Sequence, residues 1–220
     1  MAYSALPSVS TGDLWTAANH NTYLRDNLSD HETRILAAES DIDGLQLHGL
    51  YYIDRTVLSG STDSVTFTGL TGYSQIEIAA TLRGDYDTGY TAYANMRING
   101  DTGSNYNYMA VTNNHSTTVP VYTPNLGVSG IQLSFMPVLN SDANYASVIK
   151  IAIPHANNTT FYKNVLIHSA SNYKSADGNF TEEYSAGGQW KNTDAVSSIT
   201  FYPSNGNFIA GCIIDVYGIK

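Results

Sequence analysis

The sequence predicts a mainly β protein: an antiparallel, jelly-roll-like β-sandwich preceded by an N-terminal α-helical coiled-coil segment. Apolar residues recur every seven positions between residues 11 and 45, which is the repeat of a coiled coil. From Leu47 onward the apolar period falls to two, which is the period of β-strands. No helical pattern separates the later strands, so a parallel α/β fold is disfavoured. We therefore divide the chain into residues 1–46, an extension and a helix, and residues 47–220, hereafter the β body.

The sequence also predicts where the helix begins and ends. Thr11 is a suitable N-cap, and Asp13 places negative charge in the first turn, where the helix dipole favours it. Gly44, with Asp41 and Asp43 just before it, predicts the end of the helix or fraying of its last turn. A mostly polar helix gains little stability alone, so we expect this one to pack against a partner.

Two rows of positions, each with a spacing of seven residues, form a narrow seam along the helix. One row contains Leu14, Asn21, Leu28, Ile35 and Ile42, and the other contains Ala17, Leu24, His31, Ala38 and Leu45. Eight of these ten residues are apolar and the positions between the rows are mostly polar, which favours a coiled coil over a helix packed on its own domain. Asn21 and His31 form polar layers, which lower stability but fix register and chain number. Because Ile and Leu are mixed at the seam, we expect a homotrimer, with a dimer as the alternative.

The β body contains about ten short segments with strand character. They are LYYIDRTVLSG, DSVTFTGL, SQIEIAATLRG, GYTAYANMRING, NYNYMAVTN, GIQLSFMPVL, ASVIKIAIPH, FYKNVLIHSAS, AVSSITFYPS and NFIAGCIIDVYGIK. The dipeptide Asn99-Gly100 predicts a tight turn, and residues 204–207 predict a hairpin that joins the last two strands. The segment 111–124 is expected to be an irregular, exposed loop.

The composition disfavours several classes of partner. Only 13% of the residues are charged, the net charge is −9, and Tyr is abundant with 17 copies. Nucleic acid is therefore a poor partner, because its phosphates are bound by Lys and Arg. The sequence contains no basic amphipathic segment, no apolar stretch near the ~18 residues of a membrane span and no signal peptide, so we expect cytoplasmic synthesis and no membrane partner. The lone Cys212 lies in an apolar run and is predicted to be a buried, inert thiol.

The acidic residues and histidines form no recognisable catalytic, metal-binding or cofactor-binding motif. Glu182 and Glu183 are adjacent, so in a strand they would point to opposite faces, and we expect them to be loop charges. Asp85 and Asp87 resemble a fragment of a calcium loop but lack its remaining ligands. We therefore expect no catalytic residue, no metal and no cofactor, and a glycan depolymerase is the less favoured alternative.

Aromatic residues are concentrated in two neighbouring segments and in one Gly-rich stretch. They are Tyr86, Tyr90, Tyr93, Tyr106 and Tyr108 in the segments, and Trp190 in the stretch. These side chains are candidates for a glycan-facing surface, because aromatic rings stack on sugars and carry a polar tip. The alternative is half-buried packing of the tyrosines within a sheet, with Trp190 closing one end of the β body.

Two stretches resemble the small virion proteins of tailed bacteriophages. They are GDLWTAANHNTYLRDN at residues 12–27 and SITFYPSNGNFIAGCIIDVYGIK at residues 198–220. The resemblance implies an N-terminal segment that trimerises and attaches to other virion proteins, and a displayed β-sandwich that binds a host-surface glycan. It also implies a virion location, after synthesis in the host cytoplasm and release by lysis. A tail receptor-binding fibre is preferred, with a head fibre or capsid decoration protein as the alternative.

Overall fold

The computed structural model describes residues 17–46, 49–114, 121–175 and 178–220. Within these residues the chain forms one helix and twelve strands. The helix α1 is Ala17–Gln46, and the strands are β1 Leu50–Val57, β2 Val65–Thr68, β3 Gln75–Leu82, β4 Thr91–Ile98, β5 Tyr106–Asn114, β6 Val121–Val128, β7 Ile131–Pro137, β8 Ser147–Pro154, β9 Lys163–Ser175, β10 Gly178–Trp190, β11 Ser198–Pro203 and β12 Ile213–Ile219. The chain divides into two compact units, with the boundary after residue 47.

The helix α1 is one uninterrupted element of 30 residues. The predicted N-terminal signals at Thr11 and Asp13 and the first seam residue, Leu14, lie outside the described residues. The predicted stop at Gly44 is not observed, because the helix continues through this residue to Gln46. A single Gly costs about 1 kcal/mol in a helix interior, which weakens a helix without ending it.

The twelve strands form two sheets. The larger sheet has eight strands in the order β1-β12-β3-β8-β9-β10-β5-β6, and the smaller has four in the order β2-β11-β4-β7. The ladders between these neighbours are antiparallel. The prediction of a mainly β, antiparallel protein is confirmed.

Side chains from both sheets meet in one hydrophobic core. Residues along the strands alternate between buried and more exposed positions, so each sheet has an inward and an outward face. The larger sheet contributes residues such as Ile76 and Ile151 to the core, and the smaller contributes residues such as Phe67 and Phe201. The rings of Phe67 and Phe201 meet edge to face, with their centroids 6.1 Å apart. The outward faces are therefore the surfaces that remain available for partners.

Two strands, β6 and β10, are missing from the sequence prediction. The prediction of a loop at residues 111–124 is wrong for the described residues, because 111–114 belong to β5 and 121–124 to β6, while residues 115–120 lie outside the described part of the chain. Residues 178–190 form β10, which lies between β9 and β5. Ladders with β9 and β5 provide hydrogen-bond partners for the backbone of β10 on both edges. The segment is therefore a strand, although its Gly and Ser residues have a low intrinsic propensity for β-structure.

One of the two predicted turns is confirmed. Asn99 and Gly100 have φ angles of 53° and 66°, and the Asp101 N–H donates to the Ile98 carbonyl at 3.0 Å, which defines a tight turn. The predicted hairpin at residues 204–207 is wrong, because β11 and β12 belong to different sheets. The chain instead crosses from one sheet to the other through this segment.

Cys212 is buried, as the sequence predicts. Its thiol contacts the backbone of Arg83, and burial raises the pKa of the thiol. The Arg83 guanidinium is itself buried and donates hydrogen bonds to the carbonyls of Val138, Ser141, Asp142 and Tyr145. One side chain thus holds the connection between β7 and β8 in place.

Candidate interaction faces

The outward face of the four-stranded sheet, hereafter the polar face, carries hydroxyl, amide and aromatic side chains. Its residues are Thr66, Thr68, Tyr93, Asn95, Arg97, Thr200 and Tyr202, which alternate along β2, β4 and β11 with buried positions. Such a surface is readily hydrated and makes directional contacts with polar partners.

A fixed cation lies on the polar face. The Arg97 guanidinium carbon lies 4.1 Å from the centroid of the Tyr202 ring, and its Nε donates to the Ser129 carbonyl at 2.9 Å. The hydroxyls of Thr66 and Thr200 are hydrogen-bonded across the neighbouring strands at 2.9 Å. These contacts fix the positions of the cation, the ring and the hydroxyls on the polar face.

Four of the predicted glycan-facing tyrosines are at least partly accessible. Tyr90 and Tyr93 are exposed, and the Tyr93 ring packs edge-on against Phe135 with a centroid distance of 4.9 Å. Tyr86 and Tyr108 are half-buried and pack against the core. Of these four, only Tyr93 is a member of the polar face.

Tyr106 and Trp190 require a correction, because both lie in the core. Tyr106 has no exposed surface, its hydroxyl is hydrogen-bonded to the backbone of Ile98, and burial raises its pKa to about 12. Trp190 is 1% exposed, and its indole N–H donates to the Asp101 carboxylate at 2.7 Å. Neither ring can stack on a ligand, and Trp190 instead holds the turn that precedes Asp101.

The outward face of the eight-stranded sheet, hereafter the apolar face, has a different composition. Seven large hydrophobic side chains lie exposed on it: Leu50, Tyr52, Val57, Met109, Leu126, Val148 and Leu166. Within the described part of the β body, six of the seven exposed large aliphatic side chains lie on this face, and Leu139 is the exception. Exposed patches of this extent mark interaction sites in soluble proteins.

A groove of about 800 Å³ crosses the middle of the apolar face. Small or apolar side chains, Ala79, Val148 and Ala170, line it. Arg55 on β1 holds Asp215 on β12 through two hydrogen bonds of 2.5 and 3.1 Å at one side of the groove. The groove is therefore lined partly by small and apolar side chains and partly by polar or charged ones, which include Lys150, His168 and Glu183.

The adjacent carboxylates Glu182 and Glu183 lie in β10, so their prediction as loop charges is wrong. Glu183 is exposed on the apolar face, whereas Glu182 points inward and is 3% exposed. Glu182 lies beside the Tyr173 hydroxyl, and burial raises the pKa of its carboxyl to about 7. Placement on opposite sides of a sheet separates the two groups, unlike the facing carboxylates of a glycosidase.

Asp85 has a structural role at the crossing between the sheets. Its carboxylate accepts hydrogen bonds from the Asn207 backbone N–H at 2.6 Å and from the Ser61 hydroxyl at 2.7 Å. In the described ranges no group of three or more His, Cys, Asp and Glu residues could hold a metal ion.

The sequence prediction missed an aromatic pair in the connection between β8 and β9. Phe161 and Tyr162 are both exposed there. The buried amine of Lys163 donates to the carbonyls of Asn158, Phe161 and Thr193, and burial lowers its pKa. The signal in the sequence was an Asn- and Thr-rich loop followed directly by two aromatic residues.

No family model, curated protein or solved structure matches this chain. Across residues 17–46, 49–114, 121–175 and 178–220, no helix is both long enough and apolar enough to cross a membrane.

Proposed function

We propose that this chain is a non-enzymatic structural protein of a tailed-bacteriophage virion. It forms a homotrimeric fibre or knob, joined to other virion proteins through residues 1–46. The β body is displayed for attachment to a host-surface glycan.

The observation that carries the proposal is the exposed seam on α1. The seam positions whose side chains the structure describes are Asn21, Leu24, Leu28, His31, Ile35 and Ala38, and each is exposed in the single chain. Leu28 and Ile35 expose 68% and 58% of their surface. Burying such a side chain fully stabilises a protein by about 1.5–3 kcal/mol, so association of seams is strongly favoured. Ala17 belongs to α1 but its side chain is not described.

The strand pairing supports a jelly-roll β-sandwich for the β body. β1 pairs with β12, β2 with β11, β3 with β8 and β4 with β7. These pairs are nested, as in one long antiparallel ribbon rolled into two four-stranded sheets. The hairpins β5–β6 and β9–β10 fall between them in sequence and extend one sheet from four strands to eight. Jelly rolls of this kind form viral capsid domains and lectins, both of which fit the proposal.

The polar face is the part of the β body best suited to glycan attachment. It offers the Arg97 cation, the rings of Tyr93 and Tyr202 and several hydroxyls in fixed positions. Single contacts of this type are weak, but three linked copies raise the overall affinity by a factor of about 10² or more.

Light scattering of the full chain tests the trimer. We expect a trimeric mass for the unmodified protein and a lower mass for Leu28→Asp, because three charges in one buried layer cost several kcal/mol. Leu36→Asp is the matched control, because Leu36 is 59% exposed but lies outside the seam. A monomeric mass for the unmodified chain at micromolar concentration contradicts the proposal.

Immuno-electron microscopy of intact particles tests the virion location and separates a tail position from a head position. Binding of labelled protein to host cells tests attachment. Arg97→Ala should weaken that binding at least about tenfold if the cation makes a direct contact. Lys220→Ala, an exposed cation outside both faces, should leave it unchanged. Absence of the chain from purified particles would refute the virion assignment.

A further inference from the structure

We propose that the apolar face is the surface through which the β bodies of neighbouring chains pack on one another. The occupant is a second copy of this chain. The inference rests on the proposed trimer but goes beyond it, because the helix alone could hold three chains whose β bodies remain apart.

The size of the apolar face suits a protein–protein interface. Eight strands about 4.8 Å apart span about 34 Å, and strands of about nine residues on average are about 30 Å long. The resulting surface of about 1,000 Å² allows two contacts of about 500 Å² per partner, and each contact then reaches the total of about 1,000 Å² expected of a biological interface. A small ligand would cover only part of it and would leave exposed side chains such as Leu126 and Leu166 in water.

The charge on the apolar face favours a copy of the same chain. The chain has a net charge of −9, so two copies repel each other unless the surfaces that meet lack this excess. Among the described outward positions of the eight strands, the charged residues are Arg55, Lys150 and Lys174 against Glu77, Glu183 and Asp215. The face is thus neutral when His168 is uncharged.

The first strand of the apolar face follows the helix closely along the chain. Three residues separate the end of α1 at Gln46 from the start of β1 at Leu50, a reach of at most about 15 Å. Association of three helices therefore limits how far apart the three β1 strands can be. The first outward residues of β1, Leu50 and Tyr52, belong to the apolar face. In a cyclic trimer each chain offers one patch of this face to one neighbour and another patch to the second.

Cysteine labelling of the full chain tests the inference. Val148 on the apolar face and Leu139 outside it expose 53% and 54% of their surface in the single chain. The native Cys212 is buried, so we expect it not to react with a maleimide. We expect Val148→Cys in the trimer to react at least about tenfold more slowly than Leu139→Cys, because a covered site reacts only through a minor open population. When Leu28→Asp is added to each Cys variant, the trimer should dissociate and the two labelling rates should become equal.

Gly187 provides a second probe that does not threaten the fold. A Cβ atom at this position on the apolar face would meet nothing within 4 Å. We therefore expect Gly187→Arg to fold normally and to speed the labelling of Val148→Cys by preventing close packing of a second copy. Circular dichroism and thermal unfolding verify that the fold is intact.

Mass and labelling together separate this inference from the proposed function. A trimeric mass with equal labelling rates overturns the inference and leaves the helical trimer standing. A monomeric mass with equal rates overturns both. A monomeric mass with slow labelling of Val148→Cys also overturns the inference, because residue 148 is then covered by another part of the same chain.

Discussion

Gly187 and Gly188 are neighbours on β10 with opposite surroundings: a Cβ atom added to Gly187 would meet nothing within 4 Å, whereas one added to Gly188 would lie 2.9 Å from Cδ1 of Ile131. Ile131 is fully buried, so its side chain has little room to move. We expect Gly188→Ala to lower the free energy of unfolding by about 1–3 kcal/mol, as overpacked cores do. Gly187→Ala should change it by less than about 0.5 kcal/mol. Urea denaturation of both variants checks this, and equal losses would contradict the assigned faces of β10.

Glu182→Gln is expected to stabilise the protein above neutral pH. Burial raises the pKa of Glu182 to about 7 from 4.5, so the folded chain binds this proton more tightly than the unfolded chain. The protonated Glu182 carboxyl makes its full contribution to the free energy of unfolding below pH 4.5, and this contribution is lost as the pH rises through about 7. At pH 8 the Gln variant should therefore be more stable than the unmodified protein by about 3 kcal/mol.

Urea unfolding at pH 4 and pH 8 measures this difference. Glu183→Gln is the matched control, because its side chain is exposed on the other side of the same strand. We expect the control to keep the pH dependence of the unmodified protein. A Glu182→Gln variant with that same pH dependence would show that the carboxyl is not buried.

The Trp190–Asp101 hydrogen bond predicts a pH dependence of the opposite sign. The indole N–H and further bonds from Asn105 and Gly103 lower the pKa of the Asp101 carboxyl below its ordinary value of 3.8. This carboxylate stabilises the fold above pH 3.8, and its contribution is lost as the pH falls through the lowered value. Asp101→Ala leaves a buried indole N–H without its acceptor, which should cost about 1–3 kcal/mol at pH 7. Thermal unfolding from pH 7 to pH 3 should show this loss shrinking as the pH falls.

Lys163→Met is expected to destabilise the connection between β8 and β9. The amine of Lys163 donates to three carbonyls, and removing it leaves these acceptors without their donor. We expect a loss of about 3 kcal/mol and faster proteolysis near Phe161. Lys220→Met, at an exposed position outside both faces, is the control and should change neither. Unchanged proteolysis of Lys163→Met would mean that the loop is held by other contacts.

Strands with alternating apolar residues could be predicted from the sequence, whereas β10, which is rich in Gly and Ser, and β6, an edge strand that contains Pro124, could not. The alternation of β3 and β8 is visible from Gln75 to Leu82 and from Ser147 to Pro154. β10 contains Gly187 and Gly188 within a stretch that resembles a turn, and only its central place in the sheet makes it a strand. The same stretch misled the prediction for Trp190, whose ring lies in the core because β10 carries it there.

The two outward faces could not be assigned from the sequence, although one signal was present. In β8 the outward positions are Val148, Lys150, Ala152 and Pro154, so three of the four are apolar. A strand that is largely apolar on both sides is typical of a sheet covered on both faces. By contrast, the outward positions of β4 include Asn95 and Arg97, which suit contact with water. Which strands share a sheet, and therefore which side chains share a face, follows from long-range pairing that local patterns do not encode.

The nested pairing also sets an order in which the β body can form. Leu50 at the start of β1 lies opposite Ile219 at the end of β12, whereas the innermost of the nested pairs, β4 and β7, is separated by only the 32 residues between Ile98 and Ile131. Loop-closure entropy grows with the length of chain to be closed, so the innermost pair assembles at the lowest entropic cost and the outermost pair at the highest. Of the nested strands, β1, which follows the helix, is thus expected to pair last. We expect slow refolding, in which the protection of β1 amides from hydrogen exchange appears after that of β4 and β7.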